Sequence, residues 1–414
     1  MRQDELASWE TNVEWCDAVN LRSSVSKGPE TPPPHGLGDR HPLSVGRSPH
    51  FLNVDRMSFQ DRATGAVMGA LIGEALGVGP HWYYDLDEMR QDYGDWISGY
   101  TAPQPHRYHA GLKPGQLSQA GIILEMLLHS TVQSGGYDET DFCRRLDDEL
   151  FPKLDGTPRN GPGGYTSQSI REAWRRRVEQ KRPWSETGGH ADTTEAAERA
   201  LVFSARYARN PRKVAESVTA NCLLTQADES IVAMTTAYCC ALALLVNGAR
   251  LDPQLSDRLM DLVKSGDLPF HAVTSDRLQP PKVGDPDPPR TGRFASPDGL
   301  LMPSYMAEAA FDPSIKIEPA WKVSIVYGMP CAIYHQLPAA YYLAARFHDD
   351  FESAVLHAIN GGGQNQARAI LTGALVGAQV GLSGIPKRFL DGLERHDELI
   401  ALARKLAEQA DAES

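Results

Sequence analysis

Glycine recurs every fourth residue along two stretches of this chain: Gly65, Gly69, Gly73 and Gly77, and again Gly373, Gly377 and Gly381. Residues four apart share one face of an α-helix. Inside a helix, glycine costs about 1 kcal/mol relative to alanine. A chain that repeats that cost on one face is expected to bring backbones into close contact there. The spacing therefore predicts two helices whose glycine faces pack at short range against neighbouring helices.

The rest of the sequence agrees with a helical fold. From Ser58, a residue able to cap a helix, Ala63, Ala66, Val67, Ala70, Leu71 and Leu76 form a helical stripe. Further helical stretches are predicted from Ile122 to Leu128 (ended by Gly135-Gly136), Ser169 to Arg182, Thr193 to Arg209, Pro211 to Leu224 and Ile231 to Val246. Others run from Leu337 to Ala345, Phe351 to Ile359 and Ala367 to Gly381. Period-two alternation is scarce, and no internal repeat or heptad pattern stands out. The expected fold class is all-α: a single compact multi-helix domain over residues 58–410. Residues 278–319 are dense in Pro, Gly and Asp and read as an irregular insertion. Residues 1–57 are Pro-rich and polar and read as a disordered N-terminal extension.

Composition narrows the function class. A net charge of -12 argues against nucleic acid or an anionic membrane as partner. The apolar stretch from Ile231 to Ala249 contains Thr235, Thr236, Tyr238 and Asn247 and reads as a buried core helix rather than a membrane span. The six cysteines have neither metal-ligand spacing nor the density of a disulfide framework. The expectation is an intracellular, cytoplasmic protein.

Four motifs carry possible chemistry. Pro80-His81-Trp82-Tyr83-Tyr84-Asp85 follows a predicted helix end. It reads either as a stacking platform for a base or sugar, with His81 or Asp85 carrying protons, or as an aromatic plug on a core. Gly115 to Gly121 precedes a helix, and Ser118 or Gln119 can cap it. Gly361 to Arg368 opens the second glycine-stepped helix with three glycines, Gln364, Asn365, Gln366 and Arg368. Exposed backbone N–H groups and an arginine suit an anion there; the alternative is an amide-rich cap with Arg368 in a structural pair. Gly188 to Thr194 feeds a further helix, with Asp192 or Thr193 in capping position.

In this order, the motifs resemble the ADP-ribosylglycohydrolase family. The matching features are the glycine-stepped first helix at Gly69 to Gly77, the turn-then-helix at 115–128 and the Leu224-Thr225 junction. They continue with Gly362-Gly363, Gly373-Ala374-Leu375-Val376-Gly377-Ala378, Gly381, Ile385 and Pro386. The resemblance implies an all-α fold and two magnesium ions that orient a ribose for cleavage of its glycosidic bond. The family's Thr-Asp-Asp-Thr falls on Leu117, Ser118, Gln119 and Ala120. Its Gly-Gly-Asp-Thr-Asp-Thr falls on Gly362, Gly363, Gln364, Asn365, Gln366 and Ala367. Every expected aspartate is a serine or an amide. Magnesium normally takes at least one or two carboxylates, so no binuclear metal site and no other cofactor is expected. The Pro80-His81-Trp82-Tyr83-Tyr84-Asp85 segment and the Asn365…Arg368 pair resemble the branch that includes jellyfish J-crystallins and selenoprotein J, whose members share the scaffold and diverge at the metal positions.

Two functions remain open. One is a hydrolase of a ribosyl or other glycosidic bond in a small nucleotide-like or sugar ligand, working without the usual metals. Its catalytic candidates are Glu74, His81, Asp85 and Asp192. Its substrate-binding candidates are Trp82, Tyr84, Ser118, Gln119, Gln364, Asn365, Gln366 and Arg368. The other is a J-crystallin-like binding or structural protein that kept the pocket and lost turnover.

Overall fold

The computed structural model describes residues 57–271, 282–284, 292–294 and 298–413. The expectation for residues 1–57 therefore lies outside the described residues, apart from Met57. The described chain forms sixteen α-helices: α1 (Phe59–Val78), α2 (Leu86–Tyr93), α3 (Gln119–Gln133), α4 (Glu139–Arg145), α5 (Gln168–Trp174), α6 (Glu195–Arg206), α7 (Pro211–Leu223), α8 (Glu229–Val246), α9 (Leu255–Lys264), α10 (Asp298–Phe311), α11 (Val323–Tyr327), α12 (Ile333–Arg346), α13 (Phe351–Ile359), α14 (Asn365–Gly384), α15 (Lys387–Gly392) and α16 (His396–Ala412). Among the described residues there is no β-strand, only isolated bridges. The fold class is all-α, and the helices belong to one unit, Asn53–Ser414.

The glycine faces meet each other. A Cβ on Gly69 would stand 2.1 Å from the Gly373 carbonyl oxygen, and one on Gly373 would stand 2.1 Å from that of Gly69. Gly65 and Gly377 repeat this at 2.3 and 2.1 Å, and a Cβ on Gly77 would lie 2.5 Å from Gln366 Cα. No side chain separates α1 from α14 at these levels. The α1 start is capped as its sequence indicates, Asp61 N–H donating to Ser58 Oγ at 3.0 Å. At the far end, Gly381 takes a positive φ of 69° and breaks the α14 geometry. The freed Ser383 N–H is met by Asp61 Oδ1 at 3.1 Å.

Around this pair, α8 packs with α6, α7, α10 and α14, α13 and α12 cover another side of α14, and α16 covers α1 and α3. The α8 helix is long and apolar enough to span a membrane by composition, yet Val232, Ala237, Tyr238, Cys239 and Leu242 are buried in the core. Two expectations need correction. Residues 278–319 are not irregular throughout, because α10 occupies Asp298–Phe311, with Pro303 inside it; residues 278–281, 285–291 and 295–297 lie outside the described residues. The helix expected from Ser169 to Arg182 is α5 followed by a π-helical turn at Arg175–Glu179.

Candidate active site

Where α1, α3, α6 and the start of α14 converge, a cavity opens with about 30 Å³ accessible to the centre of a water molecule. Its lining includes His81, Gln119, Glu195, Glu198, Gln364 and Gln366. One water needs roughly 10–15 Å³ by this measure, so the space holds about two.

Glu74 reaches from α1 to the head of α3. Its Oε1 accepts from Ser118 N–H at 3.0 Å, Gly121 N–H at 3.2 Å, Gln366 Nε2 at 3.2 Å and the Ser118 hydroxyl. A helix start leaves backbone donors unpaired, and here a carboxylate from another helix satisfies two of them. That is why Ser118, in the N-cap position, makes no cap of its own. Glu74 Oε2 is buried without a partner. Burial pushes the Glu74 carboxyl up to about 7, against the pull of its hydrogen bonds to Ser118 and Gly121. Gln119 donates through Nε2 to Thr166 Oγ1 at 3.0 Å, and its Oε1 is also buried and unpartnered.

Two histidines form a relay on one side. His109 Nδ1 contacts the Gly163 carbonyl, and His109 Nε2 lies 2.7 Å from His81 Nδ1. A carbonyl can only accept, so the His109 proton sits on Nδ1 and His81 donates to its Nε2. Burial drives His81 well below its usual range and His109 to about 4, so both rings are neutral. His81 Nε2 then has no proton. Its 3.2 Å contact with the Gln364 amide is a hydrogen bond only with the Gln364 NH₂ turned to the ring. The relay depends on the Gly161–Gly164 loop: a Cβ on Gly163 would lie 2.1 Å from Gln119 N, and one on Gly164 2.5 Å from His109 Cα. Trp82 stacks on His81 with centroids 5.0 Å apart, and Tyr165 and Tyr108 meet Trp82 edge-on. The aromatic segment thus closes this wall as a plug.

On the opposite wall, Glu195 and Glu198 project from one face of α6. Thr193 Oγ1 donates to Glu195 and Thr194 Oγ1 to Glu198, the latter at 2.6 Å. Burial raises both carboxyls above the usual range, and the neighbouring Glu198 raises Glu195 further. Beside them, Arg199 is bound through Nε to Asn221 Oδ1 at 2.8 Å and through Nη2 to Asn221 O and Thr225 Oγ1. Gln226 fixes the start of α6, accepting from Ala196 N–H at 2.9 Å and donating to the Ala191 and Thr193 carbonyls.

The sequence candidates divide. Ser118, Gln119, His81, Gln364 and Gln366 line the cavity, and Glu74 stands behind Ser118 and Gln366. Asn365 is fully buried, donating to Ile359 O at 3.3 Å, with Oδ1 unpartnered. Arg368 is buried away from the lining. Its guanidinium bonds the Ala358 and Gly362 carbonyls at 3.0 and 2.6 Å and Gln336 Oε1 at 3.2 Å. Gly363 and Gln364 N–H donate to the Tyr83 and Met329 carbonyls. This glycine loop therefore spends donors on its own neighbours that an anion would need. Asp85 caps α2 through Asp87 and Glu88 N–H and is exposed; Tyr84 is 45% exposed. Asp192 is exposed and accepts from Tyr334 OH at 2.9 Å. Neither acid lines the cavity. Sequence reading missed His109, Tyr165, Glu195, Glu198 and Arg199. The available signals were the Gly161-Pro162-Gly163-Gly164 run and two glutamates three residues apart at a helix start.

With this geometry in view, the comparisons with known proteins are informative. The chain matches the family profile described as ADP-ribosylglycohydrolase over residues 55–414. Among solved structures it is similar to a chain of an "ADP-ribosylglycohydrolase-related protein complex", at 20% identity and a TM-score of 0.54. That match covers 85% of this chain and 99% of the other, and at that identity the likeness concerns the fold alone. No curated protein matches.

Proposed function

We propose a function from one premise, that this chain belongs to the ADP-ribosylglycohydrolase family. It is a hydrolase of a glycosidic bond in a ribosyl or nucleotide-like small molecule, working through protein acids and bases without a binuclear magnesium site. The observation that carries this reading is the pair Glu195 and Glu198, on one face of α6 and lining the cavity.

The donor set does not fit two magnesium ions. The positions where the family carries acids hold Ser118, Gln119, Gln364 and Gln366. The Ser118 hydroxyl and the Gln366 amide nitrogen are engaged with Glu74. Among the described residues, one group of three metal-ligating side chains brings its donor atoms within 4.8 Å: Glu88, Asp92 and His106, outside the cavity. No step is therefore routed through a metal.

The carboxylate pair can supply general acid and base. Two buried carboxyls, both raised by burial and one of them also by the other, keep a proton that one alone in water would release. The protonated member gives its proton to the leaving oxygen as the glycosidic bond breaks. The ionised member takes a proton from the water that attacks the anomeric carbon. The products are the free sugar and the leaving alcohol, and the pair exchanges its roles. Neutral His81, held by His109, orients Gln364 against the substrate.

The test is hydrolysis of ribosyl and glycosyl substrates by the full chain. Glu195→Gln and Glu198→Gln should each lower kcat about 10²–10⁴-fold, whereas Asp85→Asn and Asp192→Asn should leave it unchanged. One observation favours the second reading, a non-catalytic J-crystallin-like binding protein. The cavity holds only about two waters, and several of its amides and hydroxyls are already engaged. Absence of turnover on every substrate, with a ligand still bound, would establish that reading.

A further inference from the structure

We infer that this cavity receives the ammonium group of a primary amine, held between Gln119 Oε1 and the Glu195–Glu198 pair. The inference uses the location of the proposed hydrolase site but requires only binding. Joined to that reading, it makes the substrate class an amine-bearing glycoside.

Three observations point the same way. The first is charge. Glu195 and Glu198 line the cavity, Glu74 lies behind Ser118 and Gln366, and among the described residues Arg199 is the one arginine or lysine in the lining. Arg368 is bound to main-chain carbonyls elsewhere, and burial keeps His81 and His109 neutral. Two lining carboxyls thus stand against one guanidinium, with a third carboxyl behind the wall. Buried carboxylate charge without a counter-ion is costly, so the surplus is met either by protons or by a cation from outside.

The second is hydrogen-bonding sense. Among the lining side chains, the buried atom left without a partner is an acceptor, Gln119 Oε1, on a residue 2% exposed; Glu74 Oε2 behind them is likewise unpartnered. The nearby donors are engaged: Gln119 Nε2 on Thr166, Gln366 Nε2 on Glu74 and Ser118, and the Thr193 and Thr194 hydroxyls on the α6 glutamates. A phosphate or carboxylate would meet acceptors with acceptors. An ammonium brings three donors and no acceptor.

The third is size. A space for about two waters admits an ammonium and its carbon.

The experiment is thermal unfolding of the full chain titrated with methylammonium chloride. Parallel titrations use potassium chloride at equal ionic strength, D-ribose and inorganic phosphate. The expected result is a saturable rise in Tm with methylammonium alone. That rise should weaken in Gln119→Leu and disappear in the Glu195→Gln/Glu198→Gln double variant. An equal rise with potassium, a rise with phosphate or ribose instead, or no rise with methylammonium would overturn the inference. If the double variant does not fold, Gln119→Leu and the four titrations of the unaltered chain decide the matter. Amine binding without glycoside hydrolysis would remove the hydrolase reading alone. Hydrolysis of neutral glycosides without amine binding would remove this inference alone.

Discussion

Glu74 illustrates how one side chain can serve architecture and titration together. Its Oε1 ties the head of α3 to α1, while burial raises its carboxyl from 4.5 to about 7. As pH rises from 4.5, the unfolded chain releases this proton first and the folded chain retains it. The group therefore withdraws stability across the window from 4.5 to about 7. At about 1.4 kcal/mol per pH unit the total is about 3 kcal/mol. Glu74→Gln removes that titration, so its stability relative to the unaltered chain should climb by up to this amount over the window, as read by denaturant unfolding at several pH values. His109 has the opposite sign. Its folded pKa lies near 4 against a usual 6.5, so it withdraws stability as pH falls through that range. His109→Gln should therefore flatten the acid side of the stability profile. Glu74 is a catalytic candidate on sequence alone. Its four-donor role is not legible there, because those donors come from residues more than forty positions away.

At the scale of elements, the α1–α14 pair is the part of the fold most legible in sequence. Glycine spacing alone indicated backbone contact, and the carbonyl of Gly373 occupies the place where a Gly69 side chain would begin. Gly69→Ala should gain about 1 kcal/mol of helix propensity and lose more through the clash. A net loss of about 1–3 kcal/mol is expected in denaturant unfolding; an unchanged or higher midpoint would contradict the backbone contact. Helices α2 and α10 were less legible. In α2 a single residue, Met89, is buried, and α10 carries a proline and follows a Pro-rich run. Such segments are fixed by the core they dock on rather than by a stripe of their own. The site was half legible for the same reason. Ser118, Gln119, Gln364 and Gln366 sit in recognisable motifs, whereas Glu195 and Glu198 gain meaning only when α6 is laid opposite His81.

At the scale of the whole molecule, the chain keeps the family's helical domain over residues 55–414. The two glycine-stepped helices still bring the heads of α3 and α14 together. Those heads carry Ser118, Gln119, Gln364 and Gln366; Gln366 bonds Glu74 and Ser118, Gln119 bonds Thr166 and Gln364 meets His81, while two carboxyls reach the cavity from α6. On this account, restoring acids with Ser118→Asp and Gln366→Asp should lower stability at neutral pH, because each places a further carboxyl against Glu74. Added magnesium should recover that stability only if the altered cavity can hold the ion, which thermal unfolding with and without magnesium would show.

The central claim is glycosidic hydrolysis without metal ions. Its most direct test is the initial rate of hydrolysis of a ribosyl substrate by the full chain, measured in EDTA and again after adding magnesium or manganese. The account predicts the same rate in both conditions, and a large loss in Glu195→Gln. A rate abolished by EDTA and restored by metal would contradict it.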